Sequence, residues 1–137
     1  MIQKSEEEWE RELSPAQFDI LRKKGTERAG TGKYLHNKET GIYTCAGCGN
    51  PVFKSNTKYD SGSGWPSFTE PFSKDAVKVQ PDTSHGMIRE EIVCANCGGH
   101  LGHRFPDGPR DKGGERYCIN SLSMDFNKDD GTASGSV

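Results

Sequence analysis

Five cysteines, Cys45, Cys48, Cys94, Cys97 and Cys118, hold most of the reactive potential of this chain. Four of them form two matched segments, Cys45-Ala46-Gly47-Cys48-Gly49 and Cys94-Ala95-Asn96-Cys97-Gly98. Each segment can present two thiolates on one face of a tight turn. The glycine after each second cysteine tolerates a positive φ, which lets backbone N–H groups turn toward the sulfurs. Two such turns brought together make a tetrahedron of sulfurs, the geometry Zn²⁺ favours in closed structural sites. The expected cofactor is therefore a structural zinc ion held by Cys45, Cys48, Cys94 and Cys97, with iron the alternative for the same cage. The two pairs lie farther apart than in a compact zinc ribbon, so a metal there would tie distant segments together and add directly to folding stability. The competing use, a redox-active Cys-x-x-Cys, needs a βαβ context that the flanking sequence does not offer.

Cys118 is left over, in the segment Glu115-Arg116-Tyr117-Cys118-Ile119-Asn120-Ser121. A lone cysteine is often just a small buried hydrophobe. Its neighbours argue otherwise. On a strand, Arg116 and Asn120 share its face. The guanidinium would lower the thiol pKa, and the amide could donate a hydrogen bond to the sulfur. These are the surroundings of a nucleophile. Two further groups could join it. His100 and His103 follow the second cysteine pair and could be metal ligands, ordinary turn residues, or proton donors near a thiolate. Trp65 sits between Gly64 and Pro66 in a loop, where it could cap the core or wall a pocket for an apolar group.

These residues need a scaffold. Two short helices open it. One lies within residues 5–12, with Ser5 as cap and acids in the first turn, and with Trp9 and Leu13 as its apolar content. The other is capped by Ser14, has Pro15 at its first position and Gln17 completing a capping box, and is expected to stop at Gly25. Beyond Gly30, short β-compatible runs alternate with glycine turns: residues 41–45, 51–54, 67–72, 76–80, 88–94, 99–105, 116–121 and 122–126. Runs of this length predict a mainly β fold of two antiparallel sheets, sandwich- or tent-like, behind short N-terminal helices. One domain over 1–137 is expected, with the helices within about 1–26 and a Gly/Ser/Asp-rich tail from 127 to 137 that frays.

The chain has 137 residues, of which 31% are hydrophobic and 17 are glycine, a thin core of the kind that metals or disulfides often supplement. Its formal net charge is −2, which supplies no field for nucleic acid or a membrane surface. No apolar run approaches the roughly 20 residues that span a bilayer, and the acidic N-terminus lacks a signal-peptide core. Five free thiols suit a reducing compartment. The expectation is a cytoplasmic protein acting as a monomer, with neither nucleic acid nor membrane as partner.

Four stretches taken together resemble the B-type methionine sulfoxide reductases, zinc-bearing branch: residues 58–68 (KYDSGSGWPSF), 84–87 (SHGM), 100–109 (HLGHRFPDGP) and 115–121 (ERYCINS). They occur in the family's order, and the resemblance runs from about Leu13 to about Phe126. It implies an enzyme that reduces the R epimer of methionine sulfoxide in oxidised proteins, and more weakly the free amino acid. It implies Cys118 as attacking residue, His103, His100, Asn120 and Arg116 along the polar side of the pocket, and Trp65 and Phe105 around the substrate methyl. Attack by a Cys118 thiolate, with a proton from His103, would leave a sulfenic acid. The sequence departs from the family at Ser63, where many members carry a resolving cysteine. Whether native or a replacement, Ser63 leaves no spare thiol for a disulfide with Cys118. The expected reductant is then an external thiol such as thioredoxin, glutaredoxin or glutathione.

Overall fold

The computed structural model describes residues 4–128. Helix α1 spans Glu6–Glu12 and α2 spans Pro15–Lys23. Both carry a reciprocal capping box, Ser5 with Glu8 and Ser14 with Gln17, so two otherwise orphaned N–H groups are satisfied at each start. Seven residues are too few for α1 to hold by propensity alone. It is fixed instead by Trp9, which is fully buried, with the Arg22 guanidinium 4.8 Å from the indole centre. The expected stop at Gly25 comes one residue early. Lys24 itself takes the left-handed conformation, at φ 59°, and the Gly25 N–H closes the helix on the Asp19 carbonyl.

Among the described residues nine strands follow: β1 (Gly41–Cys45), β2 (Pro51–Lys54), β3 (Lys58–Tyr59), β4 (Ser67–Phe68), β5 (Val77–Asp82), β6 (Arg89–Cys94), β7 (His100–Phe105), β8 (Arg116–Ile119) and β9 (Met124–Lys128). They form two antiparallel sheets, ordered β2-β1-β9 and β3-β4-β8-β7-β6-β5. The expected mainly β fold is the one observed. The 67–72 run shortens to two residues, because the chain turns after Phe68 and the Phe72 N–H pairs with Val52 across the other sheet. The 122–126 run starts two residues late, since Ser121–Ser123 form a 3₁₀ turn. It also runs two residues longer: Asn127 and Lys128, expected in a fraying tail, pair with Ile42 and Gly41. The rest of that tail, 129–137, lies outside the described residues.

Aromatic rings join the sheets. Phe53 of the small sheet stacks on Phe68 of the large one at 4.4 Å, and Tyr43 meets the same Phe68 ring edge-on at 5.2 Å. Tyr117, Ile92, Leu101 and Ile119 complete this interior. The large sheet thus spends one face on the core. Its other face is free to carry chemistry.

Candidate active site

In an antiparallel sheet, directly opposed residues share a face with Cβ atoms about 4.5–5.5 Å apart. One such row crosses most of the large sheet: Ser67 opposes Cys118, Cys118 opposes His103, His103 opposes Glu91 and Glu91 opposes Gln80. The leftover thiol and an imidazole are therefore cross-strand neighbours on the face away from the core.

His100 and His103 are three residues apart, so a regular strand would send them to opposite faces. The β6–β7 register slips by one between Ile92 and Val93, leaving Leu101 as an extra residue in β7. This bulge brings both rings to one face with their centres 5.3 Å apart. Each is held by a carboxylate: His103 Nε2 lies 2.7 Å from Asp82 Oδ2, and His100 Nδ1 lies 2.7 Å from Glu91 Oε2. The His103 bond, seconded by Ser84, holds the Asp82 carboxyl well below the usual carboxylate range. An ionised carboxylate can only accept, so His103 carries its proton on Nε2 and leaves Nδ1 uncommitted. Burial works to raise Glu91, but its bonds from His100 and Gln80 hold it low. The Lys24 ammonium reaches both acids, 3.3 Å from Glu91 and 3.9 Å from Asp82. That contact accounts for a lysine at the left-handed helix end.

A cavity of about 160 Å³ opens over this row, lined by Cys118, His103, Trp65, Phe105, Arg116 and Asn120 among others. His100 stands behind His103 rather than on the cavity wall. It is buried, and burial pushes its pKa down against the pull of Glu91, leaving it neutral with Nε2 unpartnered. Trp65 donates its indole N–H to the Glu27 carbonyl at 2.9 Å, which aims its ring at the cavity. Arg116 shares the thiol's face, as expected. Its guanidinium is gripped by Asp107 at 2.8 Å and lies 4.4 Å over the Phe105 ring.

Two expectations about Cys118 need correction. Asn120 does not donate to the sulfur: its Nδ2 donates to the Leu101 carbonyl and its Oδ1 accepts from the Glu27 N–H. It braces the segment that holds Trp65. Nor is the thiol acidic at rest. Burial pushes its pKa up, and the opposing pull of Arg116 and of the Ser63 hydroxyl does not offset that. Alkylation of Cys118 by iodoacetamide, followed by peptide mass spectrometry, should therefore accelerate as pH rises, with a midpoint above the ordinary cysteine value. A midpoint below neutrality would mean that Arg116 outweighs burial.

Ser63 Oγ lies 4.0 Å from Cys118 Sγ, so this loop does present position 63 to the thiol. The other four cysteines stand together elsewhere. Cys45 and Cys48 flank the β1–β2 turn, Cys94 and Cys97 the β6–β7 turn, and the four sulfurs all lie within 4.8 Å of one another. Sulfurs on a tetrahedron with metal–sulfur bonds of 2.3 Å would be about 3.8 Å apart. Cys45 to Cys97 is 3.7 Å and Cys48 to Cys94 is 3.6 Å. Gly49 and Gly98 take φ of 81° and 76°, and their N–H groups close the two turns onto the Cys45 and Cys94 carbonyls. The thiols share protons unequally: Cys48 is held low, chiefly because it accepts from the Cys45 thiol, which is itself pushed up. This donor set fits a metal ion.

Asp82, Glu91, Asp107, Lys24 and Glu27 escaped the sequence reading. None carried a local signal: Glu91 follows Arg89 and Glu90 in β6, and all five take their roles from long-range pairing.

A solitary thiol facing an imidazole in a part-apolar cavity, with a separate four-sulfur cage bracing the scaffold, defines a thiol-based enzyme. The SelR domain family matches residues 13–128. The chain is 58% identical to a peptide methionine sulfoxide reductase MsrB of Bradyrhizobium diazoefficiens, over 88% of this chain and 86% of that one. It is 56% identical to that of Leptospira interrogans, over 93% and 97%, and 54% identical to that of Methanosarcina barkeri, over 91% and 87%. The chain belongs to the SelR family. Among the described residues no helix is long and apolar enough to cross a membrane.

Proposed function

We propose that this enzyme reduces the R epimer of methionine sulfoxide in oxidised proteins, using Cys118 as nucleophile and His103 as proton donor. The observation that carries the reading is the cross-strand opposition of Cys118 and His103 beneath Trp65 and Phe105. Sulfoxide sulfur is electrophilic, but its oxygen leaves only once protonated. Cys118 sulfur attacks the substrate sulfur, and the oxygen takes a proton by way of His103 Nδ1, whose other nitrogen is fixed by Asp82. The sulfoxide sulfur gains two electrons and departs as the thioether. Cys118 loses two electrons and keeps the oxygen as sulfenic acid. Because the resting thiol is held neutral, its proton can supply the one the oxygen needs, with no net exchange with solvent. Trp65 and Phe105 would cradle the S-methyl group and Arg116 would favour the thiolate as it forms.

Ser63 cannot form a disulfide, so two equivalents of an external thiol, thioredoxin or glutaredoxin in type, would return Cys118 to the thiol with release of water. Zinc in the four-cysteine cage would supply cohesion between the sheets, not chemistry at the pocket. A reducing compartment such as the cytoplasm suits five free thiols, and a monomer suffices because Cys118, His103, Trp65 and Arg116 all come from one chain. An NADPH-coupled assay with thioredoxin and its reductase, run on each separated epimer, tests this. Oxidation of NADPH with the R form alone is expected. Equal turnover of both epimers, or of the S form alone, would remove the stereochemical claim.

A further inference from the structure

Among the described residues three large apolar side chains stand exposed: Val79, Met87 and Ile88, the last at 93%. Single exposed hydrophobes are unremarkable. These three cluster on one hairpin, formed by β5, β6 and their connection. An isoleucine that exposed gains nothing from folding. Val79 and Ile88 line a groove of about 510 Å³, three times the volume of the catalytic cavity. Arg89 and Phe105 line both hollows, so the groove runs directly out of the site. Its charges are already paired within the protein: Arg104 makes a two-pronged pair with Glu90 at 2.9 and 3.0 Å, and Arg89 lies 3.6 Å from Asp82 behind the wall. A groove with apolar walls whose charged groups already have partners suits an uncharged, apolar guest.

We propose that this groove receives the residue next to the oxidised methionine in a polypeptide substrate, and that it selects a large apolar side chain there. The inference rests on the reductase reading above. The catalytic cavity has room for a sulfoxide side chain only; a chain that delivers one leaves either over the Arg89–Phe105 rim or over Ser63 and Arg116 toward a groove of about 480 Å³ that carries Asp60 and Asp107, and only the first exit offers an apolar neighbour apolar walls. Segments whose methionines become oxidised when locally unfolded carry apolar neighbours from the former core, and the hairpin would offer them cover.

The test uses dithiothreitol as reductant, so that no protein reductant takes part. Three substrates are compared: N-acetylmethionine-R-sulfoxide amide, a blocked Gly-Gly-Met(O)-Gly-Gly peptide and a blocked Gly-Leu-Met(O)-Leu-Gly peptide. The leucine peptide should exceed the glycine peptide in kcat/KM by about tenfold, the worth of one well-covered apolar side chain. Ile88→Ser and Val79→Ser should each erase most of that advantage and leave the amide within about twofold. Three results would overturn the proposal: no preference for leucine in the unaltered chain, equal losses on all three substrates, or variants that leave the advantage of the leucine peptide intact. A concentration-dependent dimer that Ile88→Ser dissociates would assign the groove to a second copy instead. No turnover of the amide by the unaltered chain would remove the reductase reading and this inference together.

Discussion

Cys118→Ser is expected to abolish reduction of methionine sulfoxide, by roughly 10⁴-fold or more, while the protein keeps its fold. The hydroxyl replaces a half-buried thiol of nearly equal size beside Ser63 and Ser67, so stability should change by no more than about 1 kcal/mol. Circular dichroism and thermal melting would verify the fold and the coupled assay the loss. This result also separates a reductase from two other roles open to a four-cysteine chain with a spare thiol. A zinc-ribbon-like binding module would keep its function without Cys118. A peroxide sensor would lose its response but would never have turned over the sulfoxide. Residual activity above about one per cent would place the nucleophile elsewhere.

The second large effect concerns the cage. Structural zinc in four-cysteine sites contributes about 10–16 kcal/mol of apparent binding energy, which matches or exceeds the about 5–15 kcal/mol by which domains are stable at all. Removing the ion with a strong chelator, or breaking the set with Cys94→Ser, should therefore unfold the protein at moderate temperature. Loss of the thermal transition together with loss of one equivalent of zinc per chain is the expected observation. A metal-free protein that melts where the loaded one does would show that the aromatic interior suffices and that the cage is incidental.

Much of this arrangement was legible before any coordinates. Strands β1 and β2 fall on the residues that alternation and flanking glycines marked, and both capping boxes form as their spacing predicted. These are local signals. The sulfur cage was legible for a different reason: four identical ligands in two matched turns have few other uses. What escaped depends on distant parts of the chain. Two-residue β3 exists because Lys58 and Tyr59 meet β4, and nothing local specifies it. Arg116 was expected to make Cys118 acidic because sequence shows the charge two residues away. Sequence does not show the Asp107 carboxylate that shares the charge, or the depth at which the sulfur lies. The desolvation of Cys118 is a sum over every element that covers it, and so it overturned an inference drawn from one strand.

The Leu101 bulge has a consequence for how this site tolerates change. The imidazoles lie three positions apart, and the extra residue in β7 restores the even spacing that a common face requires. A shortened chain lacking Leu101 would leave His100 and His103 two positions apart, still on one face of a regularised strand, but it would lose a fully buried side chain and the carbonyl that receives the backbone N–H and Nδ2 of Asn120. The pair of rings is thus indifferent to loss of the extra residue, and the cost of a single-codon deletion there would fall on the Asn120 brace and the interior packing instead.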